Sequence, residues 1–137
     1  PLLSLVAEIN EKIVGHILFT RAILKPEYQD VSVRILAPLA VSREIQGEGI
    51  GGSLIMEGLM QLAESGVDLV FVLGHPGYYP KYGFRPAGAL GFEAPYAVSS
   101  GHADAWMVQE LQPGVIGNVQ GTIQCAEVLD KPQHWRE

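Results

Sequence analysis

The strongest chemical signal in the sequence is a glycine-rich segment in the middle of the chain. Residues 46–52 read QGEGIGG and lead into a stretch whose apolar residues recur with helical spacing. The first N–H groups of a helix have no carbonyl partner, and the start of a helix carries a partial positive charge. Glycines allow such a backbone to curve closely around an anion, because they have no Cβ. The segment therefore predicts a phosphate-binding loop that needs no lysine.

Three known patterns compete for this loop. Gly47, Gly49 and Gly52 match the G-x-G-x-x-G pattern of dinucleotide-binding sites. In those sites the glycines follow the strand almost directly and an acidic residue ends the next strand, which is not the case here. The P-loop pattern is excluded because no Lys-Ser or Lys-Thr pair follows the glycines. The third pattern is Q/R-x-x-G-x-G/A, which Gln46, Gly49 and Gly51 match.

A tyrosine-rich motif follows at residues 78–86, which read YYPKYGFRP, directly after GHPG at residues 74–77. Together with the loop, this motif resembles the GNAT superfamily of acyl-CoA-dependent N-acyltransferases. The third loop pattern is the central motif of that family, and a Y-x-x-[FY]-G-F segment follows its fifth strand. The resemblance covers about residues 3–112. It is closest to a bacterial subgroup with a Gly-x-Pro-x-Tyr-Tyr junction, and it implies an N-acetyltransferase.

The resemblance also implies contacts to acetyl-CoA as the acyl donor. In the family, the strand matching residues 35–41 diverges from the strand matching residues 67–73, and the pantetheine arm pairs with the first of these. The implied donor contacts are the backbone of Leu39 and Val41 for pantetheine, and the amides of Gln46, Gly47, Gly49, Ile50 and Gly51 for pyrophosphate. Tyr82 is expected to pack against the donor or the core. His75 is expected to contact the donor, shape its loop or relay a proton.

Tyr79 matches the frequent general acid of the family, with packing against the donor as the alternative role. The reaction is a direct attack of an amine on the thioester, and a phenol can protonate the departing thiolate. Backbone N–H groups would polarise the thioester carbonyl. The position of the carboxylate base used by some members falls near Ile35, so a water chain or His75 remains as the base. The amine could belong to a small molecule, an amino acid, an antibiotic or a peptide.

The elements that must position these residues are predicted from periodicity and turn signals. We expect a mixed α/β domain, an α+β mixed sheet, with antiparallel strands first and a right-handed parallel crossover second. Pro38 predicts a bulge or a free edge in its strand. The predicted strands are 2–9, 12–24, 31–41, 67–73, 84–87, 104–111 and 119–126, and the predicted helices are 49–65 and a short one near 77–82. Residues 88–103 are expected to be a loop whose Phe92, Tyr96 and His102 contact the acceptor.

Composition and charge exclude several classes of function. The formal net charge is −6 and only nine residues are Lys or Arg, so a nucleic-acid partner is not expected. Cys125 is the only cysteine, which rules out an internal disulfide and Cys-rich zinc sites and fits a reducing cytosol. No apolar run reaches the length of about 20 residues that a membrane helix needs. With no signal peptide recognised, a cytoplasmic protein without a metal is expected.

The expected domain organisation is one N-acetyltransferase-like domain over residues 1–112, with residues 113–137 as a C-terminal extension of the same domain. The family has a further strand and one or two helices before the position of Leu3, which this sequence lacks. In the family those helices build one wall of the acceptor pocket. Either this chain is trimmed, or the wall is flexible, or a partner supplies the wall. A homodimer is therefore kept as an alternative.

Two other functions stay open beside the enzyme. The first is an acyl-CoA-binding or sensing domain without turnover, which would keep the loop but would tolerate loss of Tyr79. The second is a dinucleotide-dependent enzyme with a fully parallel sheet, which the predicted hairpin over residues 2–24 opposes.

Overall fold

The computed structural model describes residues 3–26, 30–95 and 104–125. These residues form one mixed sheet with one α-helix and three short 3₁₀-helices, which confirms the predicted mixed α/β class. The strands are β1 Leu3–Ile9, β2 Lys12–Lys25, β3 Val33–Val41, β4 Leu69–Leu73, β5 Arg85–Pro86, β6 Phe92–Glu93, β7 Trp106–Glu110 and β8 Gly121–Cys125. The helix α1 is Ile50–Glu64, and the 3₁₀-helices are Arg43–Ile45, Tyr79–Tyr82 and Gly88–Leu90.

The first half of the sheet is antiparallel, as predicted. Asn10 and Glu11 form the tight turn between β1 and β2, with φ values of 51° and 65°. Asparagine tolerates this left-handed region better than most residues because its short side chain can bond locally. β2 pairs with β3 along one edge, and along its other edge it pairs first with β1 and then with β8. β2 is therefore the strand that joins β1, β3 and β8 into one sheet.

The parallel crossover runs from β3 through α1 to β4. Val33–Leu36 of β3 lie beside Leu69–Val72 of β4 in a parallel register, which confirms the predicted strand–helix–strand unit. β4 is nearly continuous in apolar residues because both of its faces are covered. Leu69 and Phe71 face one apolar cluster, and Val70 and Val72 face the other.

β3 contains the bulge predicted from Pro38. The register with β2 pairs Ile17 with Leu39 and Phe19 with Leu36, so Ala37 and Pro38 together lie opposite a single β2 residue. A proline fits such a position because it has no N–H to donate to the ladder. Beyond Leu36, no strand of the described residues pairs with β3 on the side of β4. β3 therefore ends with one free edge.

The helix α1 packs on the sheet beside this free edge. Its residues Leu54, Ile55 and Leu59 are buried in one cluster with Ile17 and Phe19 of β2. Burying a side chain of this size contributes about 1.5–3 kcal/mol, so this packing holds the helix firmly on the sheet. Within the described part of the chain, no helix is both long and apolar enough to span a membrane.

The prediction that residues 88–103 are a loop is wrong for the described residues 88–95. This stretch contains a 3₁₀-turn and the short strand β6, which lies parallel to β8. Phe92 is completely buried, meets Phe71 edge-on with 5.2 Å between ring centroids, and its carbonyl accepts a 3.0 Å bond from Trp106 Nε1. Phe92 is therefore a core residue and not an acceptor contact. Tyr96 and His102 lie outside the described residues.

Candidate active site

A pocket of about 450 Å³ opens where β3 has lost its parallel partner. Three segments form its wall: the end of β3, the glycine loop with the first turn of α1, and the tyrosine-rich segment after β4. The lining residues are Leu39, Val41, Ile45, Gln46, Gly47, Gly49, Ile50, Gly51, Gly52, Tyr78, Lys81 and Tyr82. All of the residues predicted to contact the donor or to act in catalysis belong to this lining except His75 and Tyr79.

The backbone of β3 presents polar groups that have no strand partner to the pocket. Ser42 N donates to Val14 O of β2 at 2.7 Å, and the groups of an antiparallel strand point alternately to either side. The N–H and C=O of Leu39 and Val41 therefore point away from β2 and towards the pocket. Gln46 folds back from the loop, and its Nε2 donates to Val41 O at 3.0 Å. This bond ties the glycine loop to the free edge.

The first turn of α1 provides N–H groups to the same pocket. The helical ladder begins with Ser53 N donating to Gly49 O at 2.9 Å. The N–H groups of the three residues 50–52 precede that bond and have no carbonyl partner within the helix. They also lie at the positive end of the helix dipole. This arrangement favours an anion at the start of α1.

The glycines of the loop serve two different purposes. Gly47 and Gly49 have φ values of 89° and 83°, where other residues are strained, and a Cβ on either would meet no atom within 4 Å. Gly51 and Gly52 are crowded instead: a Cβ on Gly51 would lie 2.8 Å from Tyr78 Oη, and one on Gly52 would overlap the Tyr82 hydroxyl. The first two glycines leave open space, whereas the last two make room for tyrosines.

Tyr78 and Tyr82 form a hydrogen-bonded pair over the start of α1. Their rings meet at 65° with 5.3 Å between centroids. Burial raises the pKa of Tyr78 to about 12, with further contributions from the hydrogen bond with Tyr82 and the nearby charges of Tyr82 and Tyr79. The Tyr78 phenol is therefore neutral at physiological pH. Lys81 Nζ lies 5.1 Å from the centroid of the Tyr78 ring.

Tyr79 lies behind this pair, in the apolar cluster under α1. Its residue exposure is 8%, its ring packs against Gly74, and it meets the ring of Phe84 edge-on with 5.7 Å between centroids. It also contacts the ring of Tyr78 edge-on, with 5.2 Å between centroids. Burial raises the pKa of the Tyr79 phenol, so this group also keeps its proton at neutral pH.

His75 lies on the surface at the start of the segment that follows β4. Its Nδ1 accepts a 3.1 Å bond from Gly77 N, which stabilises the turn leading to Tyr78. That bond leaves the proton of a neutral imidazole on Nε2. Among the described residues, no group of three or more His, Cys, Asp or Glu side chains could hold a metal ion.

Four lining residues were not predicted from the sequence as donor contacts or catalytic residues: Ile45, Gly52, Tyr78 and Lys81. Tyr78 and Lys81 lie in the tyrosine-rich motif, so the signal that located the motif also located them. The motif did not show which of its side chains face the pocket, because the orientation of the 3₁₀-helix Tyr79–Tyr82 determines which side chains do so.

Comparisons with known proteins agree with this arrangement. The family model described as "Acetyltransferase (GNAT) domain" matches residues 2–86. The chain is 49% identical over 130 residues to the uncharacterized N-acetyltransferase YjhQ of Escherichia coli strain K12, covering 93% of this chain and 70% of that protein.

Two solved structures share the fold over nearly the whole chain. One is the GNAT family N-acetyltransferase YhbS from Escherichia coli in complex with CoA, with a TM-score of 0.84 and 29% identity over 94% of this chain and 69% of that chain. The other is a GNAT family acetyltransferase from Brucella melitensis in complex with acetyl-CoA. It has a TM-score of 0.71 and 30% identity, over 93% of this chain and 68% of that chain.

Proposed function

The chain belongs to the GNAT acetyltransferase family, and from that premise we propose that it transfers an acetyl group from acetyl-CoA to a primary amine. Its enzyme class is that of an acyl-CoA-dependent acyltransferase. One observation carries the proposal: a single pocket joins the free edge of β3, the unpaired start of α1 and a tyrosine-rich segment. The free edge suits the pantetheine arm of an acyl-CoA, the start of α1 suits its pyrophosphate, and the tyrosines suit its thioester.

The glycine loop fits the pyrophosphate of the donor. Five residues of the loop and the first turn of α1 line the pocket and would offer their amides: Gln46, Gly47, Gly49, Ile50 and Gly51. The space beside Gly47 and Gly49 is open. A doubly charged anion there would be held by backbone N–H groups and the helix dipole, without a lysine in the loop. This explains how a chain with a net charge of −6 can bind a polyanion.

The free edge of β3 fits the pantetheine arm. Pantetheine is an extended chain with two amide groups, and an extended amide chain can pair with a strand edge as another strand would. The N–H and C=O of Leu39 and the N–H of Val41 have no strand partner on this side and would make these bonds, while Val41 O already accepts from Gln46 Nε2. The bulge at Pro38 matters because it ends the pairing of β3 with β4 and keeps this edge open.

The chemistry requires one bond to form and one to break. The neutral amine nitrogen bonds to the thioester carbonyl carbon, the carbon–sulfur bond breaks, the nitrogen gives up one proton as it becomes the amide, and the thiolate takes up one proton. We assign the donation of that proton to Tyr79, whose buried phenol keeps its proton at neutral pH. Tyr78 is the second candidate, because its hydroxyl lies at the pocket beside Gly51.

The amine must lose a proton before it attacks. None of the residues that line the pocket is a carboxylate or a histidine, so we propose that water carries this proton away. His75 then shapes the loop rather than acting as the base, since its Nδ1 is bonded to Gly77 N. The acidic net charge favours approach of a cationic amine, such as a small amine or a peptide.

A titration followed by an assay tests the function. We expect acetyl-CoA to bind and NAD not to bind when each is titrated calorimetrically into the purified protein. Amines are then screened for release of free thiol from acetyl-CoA. Binding of NAD in place of acetyl-CoA would assign the loop to a dinucleotide instead.

Binding without turnover is the alternative function. The observation that supports it is the position of Tyr79, which packs in the core and is absent from the pocket lining. A sensing domain would bind acetyl-CoA with normal affinity and would release no thiol with any amine of the panel.

A further inference from the structure

Lys81 is the one residue with a positive charge among those that line the pocket, and no lining residue is acidic. This local charge is opposite in sign to that of the whole chain, whose net charge is −6. A single positive charge in this pocket is therefore expected either to stabilise the fold or to contact an anionic ligand.

The ammonium group of Lys81 is held near the pocket by an aromatic ring. Its Nζ lies 5.1 Å from the centroid of the Tyr78 ring, within the range of a cation–π contact. The ring is itself fixed, because the Tyr78 hydroxyl is hydrogen-bonded to Tyr82. No carboxylate of the described residues forms an ion pair with Lys81, so its N–H groups remain available to a ligand.

The start of α1 contributes to the wall of the same pocket as Lys81. Its free N–H groups and the helix dipole make a second positive region there. Two positive regions that share one pocket favour a ligand with more than one negative charge.

We propose that Lys81 is a second phosphate contact of the pocket, which pairs with a phosphate of the donor nucleotide in addition to the loop amides. The inference rests on the proposed function, since its ligand is an acyl-CoA. CoA carries phosphate at two places, the pyrophosphate and the 3′ position of the ribose. Because a lysine acts as a flexible point charge, it can form the same charge-assisted contact with either phosphate.

The experiment measures calorimetric affinities of CoA and dephospho-CoA, which lacks the 3′-phosphate. The proteins are the unchanged chain, Lys81→Met, Lys81→Arg and the control Arg43→Met. Arg43 is an exposed cation that precedes the glycine loop and does not line the pocket. Its loss removes the same charge from the same neighbourhood without removing the contact.

We expect Lys81→Met to bind CoA about tenfold more weakly, as for loss of one charge-assisted hydrogen bond, and Lys81→Arg to keep most of the affinity. If the partner is the 3′-phosphate, Lys81→Met binds dephospho-CoA as well as the unchanged chain does. If the partner is the pyrophosphate, both ligands lose affinity equally. Either result supports the contact and identifies the phosphate.

The inference is overturned if Lys81→Met binds CoA as tightly as Arg43→Met does, with the unchanged chain binding tightly. This failure is distinct from failure of the proposed function, in which the unchanged chain binds neither CoA nor dephospho-CoA. A thermal melt of each variant checks that the fold is intact.

Discussion

The glycine loop and the tyrosine-rich segment form opposite parts of one pocket by different means. The loop at 46–52 acts through its backbone: open space beside Gly47 and Gly49, and unpaired N–H groups at the start of α1. The segment at 78–82 acts through its side chains: two paired phenols and one ammonium group at the pocket, with the phenol of Tyr79 behind them in contact with Tyr78. The two meet at Gly51 and Gly52, where the hydroxyls of Tyr78 and Tyr82 touch the helix.

This difference determines how each region tolerates change. A backbone site depends on the absence of side chains, so the addition of a single methyl group should damage it. A side-chain site depends on single polar atoms, so the removal of one hydroxyl oxygen should lower turnover and leave the affinity for acetyl-CoA intact. The following predictions test this distinction, from the largest expected effect to the smallest.

Removal of the Tyr79 hydroxyl should have the largest effect. Tyr79→Phe is expected to lower kcat about 100-fold, the loss typical of a general acid, with little change in the affinity for acetyl-CoA. The ring contacts with Gly74 and Phe84 are unchanged, so the fold should be retained. Steady-state kinetics with the best amine and calorimetric binding measure the two quantities.

Tyr78→Phe is the matched control for this prediction. It removes the neighbouring hydroxyl, which lies beside Gly51 and bonds Tyr82. A loss of kcat in Tyr78→Phe with normal kcat in Tyr79→Phe would transfer the proton-donor role to Tyr78. Equal and small effects in both variants would argue that neither phenol donates the proton.

A methyl group added to the loop should weaken donor binding. Gly49→Ala places a Cβ in the open space beside the proposed pyrophosphate, and we expect the Kd for acetyl-CoA to rise about 30-fold. The control is Gly66→Ala at the other end of α1. Gly66 has a φ of 89° and equally open surroundings, so it suffers the same backbone strain away from the pocket.

Both glycine variants should lose about 1–2 kcal/mol of unfolding free energy, because alanine is strained in the left-handed region. Denaturant titration measures this loss. If Gly66→Ala weakened acetyl-CoA binding as much as Gly49→Ala, strain and not occupation of the site would be the cause.

The smallest effect is expected where a side chain supports the backbone site. Gln46→Leu removes the bond from Gln46 Nε2 to Val41 O, and the loop loses its tie to β3. One neutral hydrogen bond corresponds to about a fivefold rise in the Kd for acetyl-CoA. Gln61→Leu is the control, since Gln61 bonds Glu57 on the exposed face of α1. Calorimetry on the two variants should show an effect in the first alone.

The sequence predicted the backbone part of the molecule well. The hairpin, the crossover and α1 follow from periodicity, and the bulge follows from Pro38, because proline restricts the backbone in a way that is independent of distant contacts. The glycine loop was located for the same reason, since left-handed φ values and helix starts have local signals.

The sequence did not predict features that depend on contacts between distant segments. β6 has two residues, too few for any periodicity, and Phe92 is buried by Phe71 and Trp106 from other strands. Tyr78 and Tyr79 are adjacent and chemically identical, so only the packing of the 3₁₀-turn puts the first at the pocket and the second in the core. Lys81 was not predicted as a ligand contact, because only the fold brings its charge to the same pocket as the start of α1.

The pairing of β2 with β8 has a consequence for the order in which the sheet can form. Leu24 and Ile123 lie opposite each other and are both buried, although roughly a hundred residues separate them along the chain. Such a contact forms late, because the entropy of closing the intervening loop must be offset first. During synthesis on the ribosome, residues 22–25 of β2 stay unpaired on this edge until nearly all of the described chain has emerged. We therefore propose that residues 113–137 extend the domain of residues 1–112, and that a chain ending at 112 keeps its pocket residues but leaves Leu24 open to aggregation.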